Sequence, residues 1–229
     1  MTPLLFVLVP LLLLTVWLPG WWVRRTFARY SEPADRYYGS GAMLARMLLD
    51  KRGLHEVAVE PTEIGDHYDP QARVVRLSPH NYHQRSLTAI TVAAHEVGHA
   101  IQHAEGYAPL ALRERLVRFA ISGQRLGAMM MVAVPLITLL TRHPAPGLLL
   151  VVAGLLSMGL AAIVHLVTLP TEFDASFRRA LPLLEQGGYL HEADVPHARR
   201  ILEAAALTYV GQSLMALLNV AAWLRFLRR

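Results

Sequence analysis

The chain has 229 residues, 54% of them hydrophobic and 17% charged, with a formal net charge of +5 and no cysteine. That charge content lies below the roughly 25% of an ordinary soluble domain and excludes intrinsic disorder, which needs low hydrophobicity and many charges. The lack of cysteine excludes disulfides, thiolate metal sites and a cysteine nucleophile, so any metal must rest on nitrogen and oxygen donors.

The first predicted element is an apolar stretch from Pro3 to Val23, about 20 residues without a side-chain charge and long enough for a bilayer core of about 30 Å. A secretory signal has a shorter apolar region and a small-residue cleavage site. This stretch ends in Trp21-Trp22-Val23-Arg24-Arg25, as an uncleaved anchor with interfacial tryptophans does. A polar region follows, Arg24 to Arg125. Within it, Ser40 to Arg52 places Met43, Leu44, Met47 and Leu48 at amphipathic-helix spacing, with Gly53 as the stop. Val57 to Val59 and Val74 to Leu77 read as short strands, with His67-Tyr68-Asp69-Pro70 between them as a turn candidate. The strand Val74 to Leu77 offers an edge for an extended substrate. His80 to His83 reads as a polar loop. Ser86 is a helix N-cap candidate, and a helix runs from Leu87 to His103 with Gly106 as its end.

A second apolar stretch, Leu126 to Thr141, reaches only about 24 Å as a helix, with Pro135 as a kink candidate. The third, Gly147 to Leu169, is a comfortable span, and the two form a hairpin through Arg142-His143-Pro144-Ala145-Pro146. Pro170 to Ala206 is polar and opens with a helix to about Glu185. The fourth apolar stretch, Leu207 to Leu224, carries Gln212, Ser213 and Asn219, groups that more often join membrane helices than face lipid. The domain reading is therefore an anchor over 1–25, a folded polar domain over 26–125, a transmembrane hairpin over 126–169, a helical segment over 170–206 and a C-terminal span over 207–229. Two spans between the polar regions put both regions on one side of the membrane. Those regions hold 14 and 4 Lys/Arg, against 1 in the hairpin loop and 3 at the C-terminus. The positive-inside rule then sets both in the cytoplasm, although Arg225, Arg228 and Arg229 fall outside against it. The basic charge thus marks a membrane side rather than a nucleic-acid partner.

The helix from Leu87 contains Ala94-His95-Glu96-Val97-Gly98-His99, the pattern H-E-x-x-H. Residues four apart on a helix differ by about 40° and about 6 Å of rise, so His95 and His99 leave one face and can share one ion. Glu96 stands beside them as a base. The same helix is apolar through Ala89, Ile90, Val92, Ala93, Val97 and Ile101. Two imidazoles and a carboxylate on a buried helix need a reason, because unpaired polar groups are costly there. Zinc with three protein ligands and an open position supplies one. His103 lies about 12 Å along the axis from His95, too far to be the third ligand. After the third span, Glu172 and Asp174 begin a helix. Either they complement its dipole, or Glu172 is the third ligand and Asp174 orients a ligand histidine. Tyr68 or His67 is a candidate for stabilising an oxyanion, against the plainer reading of strand-edge packing. His165, near the end of the third span, is a weaker candidate.

Taken together, the residues resemble the YugP-like neutral zinc metallopeptidases of bacterial membranes. The resemblance rests on Asp66-His67-Tyr68-Asp69-Pro70, Ala93 to His103, Leu169 to Ser176, and Ala204 to Val210, and covers nearly the whole chain after the first span. It implies a multi-pass zinc peptidase of the bacterial inner membrane with a glutamate third ligand. HtpX-type membrane peptidases share the H-E-x-x-H helix and a glutamate helix after a hairpin. They carry aspartate four residues beyond that glutamate, where this chain has Ser176.

The predicted fold class is an α+β membrane protein, mostly helical. It has about four transmembrane helices and a small zincin-like domain with a short β-sheet and the H-E-x-x-H helix. The predicted function is a zinc endopeptidase with one Zn2+ per chain on His95, His99 and Glu172, and Glu96 as general base. Its partners are protein or peptide substrates and the lipid bilayer. The alternative is a non-enzymatic membrane scaffold in which zinc only staples the helix after the third span to the domain. A transporter would rest on the polar residues of the fourth stretch alone.

Overall fold

Local signals set most helix ends. The structure is a computed structural model, described for residues 3–208, with side chains at 3–16 and at scattered positions between 120 and 166 outside the description. The first helix, α1, runs Pro3–Tyr30, past the predicted apolar stretch. α2, Gly41–Lys51, starts where Ser40 accepts from the amide of Met43, and buries Leu44, Ala45, Leu48 and Leu49 on one face. Three short strands follow: β1 (Ala58–Pro61), β2 (His67–Asp69) and β3 (Val74–Leu77). A short helix α3 spans Pro79–His83 and leads to α4, Leu87–Ala104. Ser86 caps α4 through the amide of Ala89 at 3.1 Å, and Gly106 ends it with φ of 64°, a backbone conformation that glycine adopts without strain.

The chain divides into two compact units. One comprises Gly20–Ala111 and Leu169–Thr208. At its centre is α4, in which every residue from Leu87 to Gln102 is buried. Its core gathers Leu48, Leu49, Leu77, Val97, Leu184, Ile201 and Leu202. The sheet order is β1-β3-β2, with β1 parallel and β2 antiparallel to β3. After Leu169–Phe173 (α7) the chain forms a π-helical segment, Asp174–Ala180, then α8, Leu181–Gln186. Residues 195–208 are helical. A bidentate ion pair joins the predicted polar regions: Asp194 accepts from Arg36 Nε and Nη2, both at 2.6 Å, and from the Tyr37 hydroxyl.

Several expectations need correction here. His67-Tyr68-Asp69 is a strand and not a turn, because Tyr68 pairs across to Val75. The turn comes just after it, where Asp69 Oδ1 accepts from the amides of Gln71 (2.9 Å) and Ala72 (3.1 Å). Asp66 likewise accepts from the amide of Ser78 at 2.7 Å and from Asn81 Nδ2 at 2.8 Å, so the predicted loop at His80 to His83 is helical. Pro79 at the first turn suits that start, its missing N–H costing nothing there. β3 is the central strand, paired on both sides, so it offers no free edge.

The other unit contains the described residues up to Pro19 and Leu112–Thr168. Its hairpin pairs helix α5, Ala108–Thr141, with α6, Pro144–Val167. The second apolar stretch is thus the end of a 34-residue helix, with Pro135 inside it. A Cβ built on Gly154 would lie 3.0 Å from Met131 Sδ and 3.1 Å from the carbonyl of Gly127, so small residues set the close approach of the two helices. Met129, Val132, Leu139, Leu149 and Leu156 are exposed on the outside. Among the described residues one helix, Ala108–Thr141, is long and apolar enough to cross a membrane, with a shorter apolar run at Ala145–Gly154. The four predicted spans reduce to that statement. The fourth lies almost wholly outside the described residues, as does the side chain of His165.

Candidate metal centre

The two histidines of the H-E-x-x-H motif stand four residues apart on α4, each only 4% exposed. Their ring centroids are 4.8 Å apart and their planes nearly perpendicular, at 80°. Nε2 of His95 and Nε2 of His99 each lie 3.3 Å from Oε2 of Glu172. One ligand atom from each of the three residues fits within 4.8 Å of the others. Glu172 arrives from α7, directly after the hairpin, and is fully buried.

The close approach that delivers Glu172 depends on Gly98, inside the motif itself. A Cβ there would sit 2.6 Å from the carbonyl oxygen of Ala175, so the π-helical segment rests on bare backbone of α4. Residues 172 and 176 are four apart and share a helix face. Ser176 therefore also meets α4: its Oγ lies 3.0 Å from Nδ1 of His95 and donates to the carbonyl of Leu202 at 3.3 Å. Nδ1 of His99 faces Gln102 Oε1 at 2.9 Å. Both outer ring nitrogens are thus occupied by protein, and both inner ones face the carboxylate.

Asp174 is not part of the three-residue group. Its Oδ2 accepts from Gln102 Nε2 at 2.8 Å and from Arg179 Nε at 2.7 Å. The five-residue spacing of Asp174 and Arg179 is the repeat of a π-helix. Arg179 also donates to Glu105 Oε2 at 2.7 Å. Burial works against the guanidinium charge, but these two carboxylates outweigh it and raise the pKa of Arg179.

Glu96 is buried on α4 between the histidines and is not one of the three grouped residues. His103 is also outside the group, its Nδ1 lying 2.8 Å from the Tyr68 hydroxyl. His67 turns its Nδ1 to the carbonyl of Gly65 at 2.8 Å. Two residues that sequence reasoning passed over, Ser176 and Gln102, touch the histidines directly. Their spacing was the available signal: Gln102 is one turn past His99, and Ser176 one turn past Glu172.

The donor set suits zinc: two imidazoles and a carboxylate, buried, with no thiolate in the chain, match the three protein ligands of a catalytic site that keeps a fourth position open. Two buried imidazole nitrogens aimed at one carboxylate oxygen also form a cluster that a cation stabilises.

Comparison with known proteins agrees with this chemistry. The chain is 39% identical over 207 residues to the protein of Bacillus subtilis (strain 168) named "Putative membrane protease YugP", covering 86% of this chain and 85% of that one. No solved structure matches. A family profile described as "Putative neutral zinc metallopeptidase" matches residues 4–228, and the chain belongs to that family.

Proposed function

We propose that this protein is a membrane-embedded zinc endopeptidase that cuts membrane-associated or misfolded proteins. The observation that carries the reading is the meeting of His95 Nε2, His99 Nε2 and Glu172 Oε2 beside a buried glutamate on the same helix. His95, His99 and Glu172 would hold the zinc, which when bound would lower the pKa of water to about 7 and polarise a carbonyl. Glu96 takes the proton of the attacking water on its carboxylate and returns it to the leaving amine. Of the two oxyanion candidates, Tyr68 is the better supported: its hydroxyl reaches His103, one turn beyond His99, whereas the His67 ring is turned to Gly65. An extended substrate would pair alongside β2, which is an edge strand of the sheet among the described residues and carries Tyr68.

The membrane part of the reading draws on the exposed apolar surface of the hairpin, which water disfavours and lipid accepts. The arginine distribution argues for a multi-pass chain with both polar regions in the cytoplasm.

Proteolysis by the purified protein and by Glu96→Gln tests the mechanism. The variant should keep stoichiometric zinc and lose at least about 100-fold in turnover, as loss of a general base does. Near-wild-type turnover would remove Glu96 from the chemistry. If the wild type binds one zinc and cleaves nothing, the zinc-stapled scaffold becomes the better reading.

A further inference from the structure

Gln102 has no part in the reaction described above, yet it is fully buried and its whole amide is engaged. Nε2 donates to the carbonyl of Thr171 at 2.9 Å and to Asp174 Oδ2 at 2.8 Å. Both atoms only accept, one as a main-chain carbonyl and the other as a carboxylate oxygen that Arg179 Nε also faces at 2.7 Å. Turning the amide over would set its oxygen against two acceptors in a buried position, which is costly. The amide is therefore held one way, with Oε1 toward Nδ1 of His99 at 2.9 Å. An amide oxygen cannot donate, so Nδ1 must carry the proton of the neutral ring. The lone pair then sits on Nε2, the atom 3.3 Å from Glu172 Oε2.

We propose that Gln102 is a positioning residue of the metal centre: it fixes the tautomer and orientation of His99 and ties metal affinity to the Asp174–Arg179 pair. The proposal rests on the reading that His95, His99 and Glu172 hold zinc. Ligating histidines usually give their outer N–H to a carboxylate, a carbonyl or water. Here a neutral amide stands in that place, and the carboxylate lies one hydrogen bond further out with its charge balanced by Arg179. The helical stretch from Leu169 to Gln186 thus supplies the third ligand, the partner of His95 through Ser176, and the anchor of the group that aims His99.

Zinc titration of the full chain against a competing chelator tests this, with the wild type as reference. Gln102→Leu keeps similar bulk and removes the acceptor; it should bind zinc about 10–100-fold more weakly. Asp174→Ala leaves Gln102 in place but removes one of the two acceptors that hold its amide, with only the Thr171 carbonyl left, and should weaken binding over the same range. Asp174→Asn keeps an oxygen that accepts from both Gln102 and Arg179, so it should stay within about threefold of wild type. That rescue separates positioning from a need for the charge of Asp174. If Gln102→Leu does not fold, the Asp174 pair alone decides. Wild-type affinity in Gln102→Leu or in Asp174→Ala, or equal loss in Asp174→Asn and Asp174→Ala, overturns the proposal and leaves the three-ligand reading intact. A wild type that binds no zinc overturns both.

Discussion

Asp194 shows what a buried charge requires in this fold. Desolvation pushes its carboxyl up, but the hydrogen bonds from Arg36 and Tyr37 outweigh that and hold it below the usual carboxylate range. A group whose pKa is lower in the folded state contributes stability above its unfolded value, near 4, and loses that contribution as pH falls through the folded value. Asp194→Asn should therefore be less stable than wild type at pH 7 and should show a shallower loss of stability below about pH 4. Breaking a buried pair costs about 3–5 kcal/mol. Arg36 keeps 37% of its side chain exposed, so about 1–3 kcal/mol is expected at neutral pH. Denaturant melts of both proteins from pH 7 down to pH 3 measure this. Identical pH profiles would mean that Asp194 is not a charged partner in the folded state. The same accounting explains His103: with Nδ1 facing the Tyr68 hydroxyl, it has a partner without a metal.

Among the elements, the join of α4 to the π-helical segment governs the site. Gly98 allows it, and the clash that a side chain would cause is with backbone, which cannot swing aside. Gly98→Ala should cost about 1–3 kcal/mol in stability and weaken zinc binding by at least about tenfold, because the displaced helix carries Glu172 and Ser176. Gly106→Ala is the control. Its Cβ meets open space and its strain is only conformational, so it should leave zinc affinity alone. If Gly98→Ala binds zinc like wild type, the helix contact does not set the ligand geometry. Legibility in the sequence divides along the same line. α2 and α4 were readable because Ser40, Ser86 and Gly106 act on their own helix ends. The H-E-x-x-H pair was readable because helix spacing alone puts both rings on one face. β2 was not, since three residues become a strand only by pairing with β3. Gln102 and Ser176 were missed because their roles arise where α4 meets a segment 69 to 81 residues away in sequence.

At the scale of the molecule, Gly20–Ala111 and Leu169–Thr208, which hold most of the two polar regions of the sequence, form one compact unit, joined by Arg36–Asp194 and by the contacts of His95 and His99 with Glu172. On the proposed topology, in which the hairpin crosses the membrane twice, that unit forms only with both regions on the same side. The chain has no cysteine, so single cysteines report position without background. Ile64 and Gln186 are exposed in the two regions, and His143 lies in the exposed hairpin loop. An impermeant thiol reagent applied to intact cells should label His143→Cys and leave Ile64→Cys and Gln186→Cys untouched. Labelling of the latter two alone would invert the topology. Labelling of only one of them would put the two regions on opposite sides, which the metal centre does not survive.

The reading of the whole chain stands on His95, His99 and Glu172 binding one zinc. Metal content and zinc titration of the purified wild type, Glu172→Ala and Asp174→Ala address it most directly. The wild type should hold one zinc per chain, Glu172→Ala should lose affinity severely, and Asp174→Ala should lose about 10–100-fold. Metal loss in Asp174→Ala with normal binding in Glu172→Ala would reverse the assignment, and unchanged affinity in both would place the third ligand elsewhere.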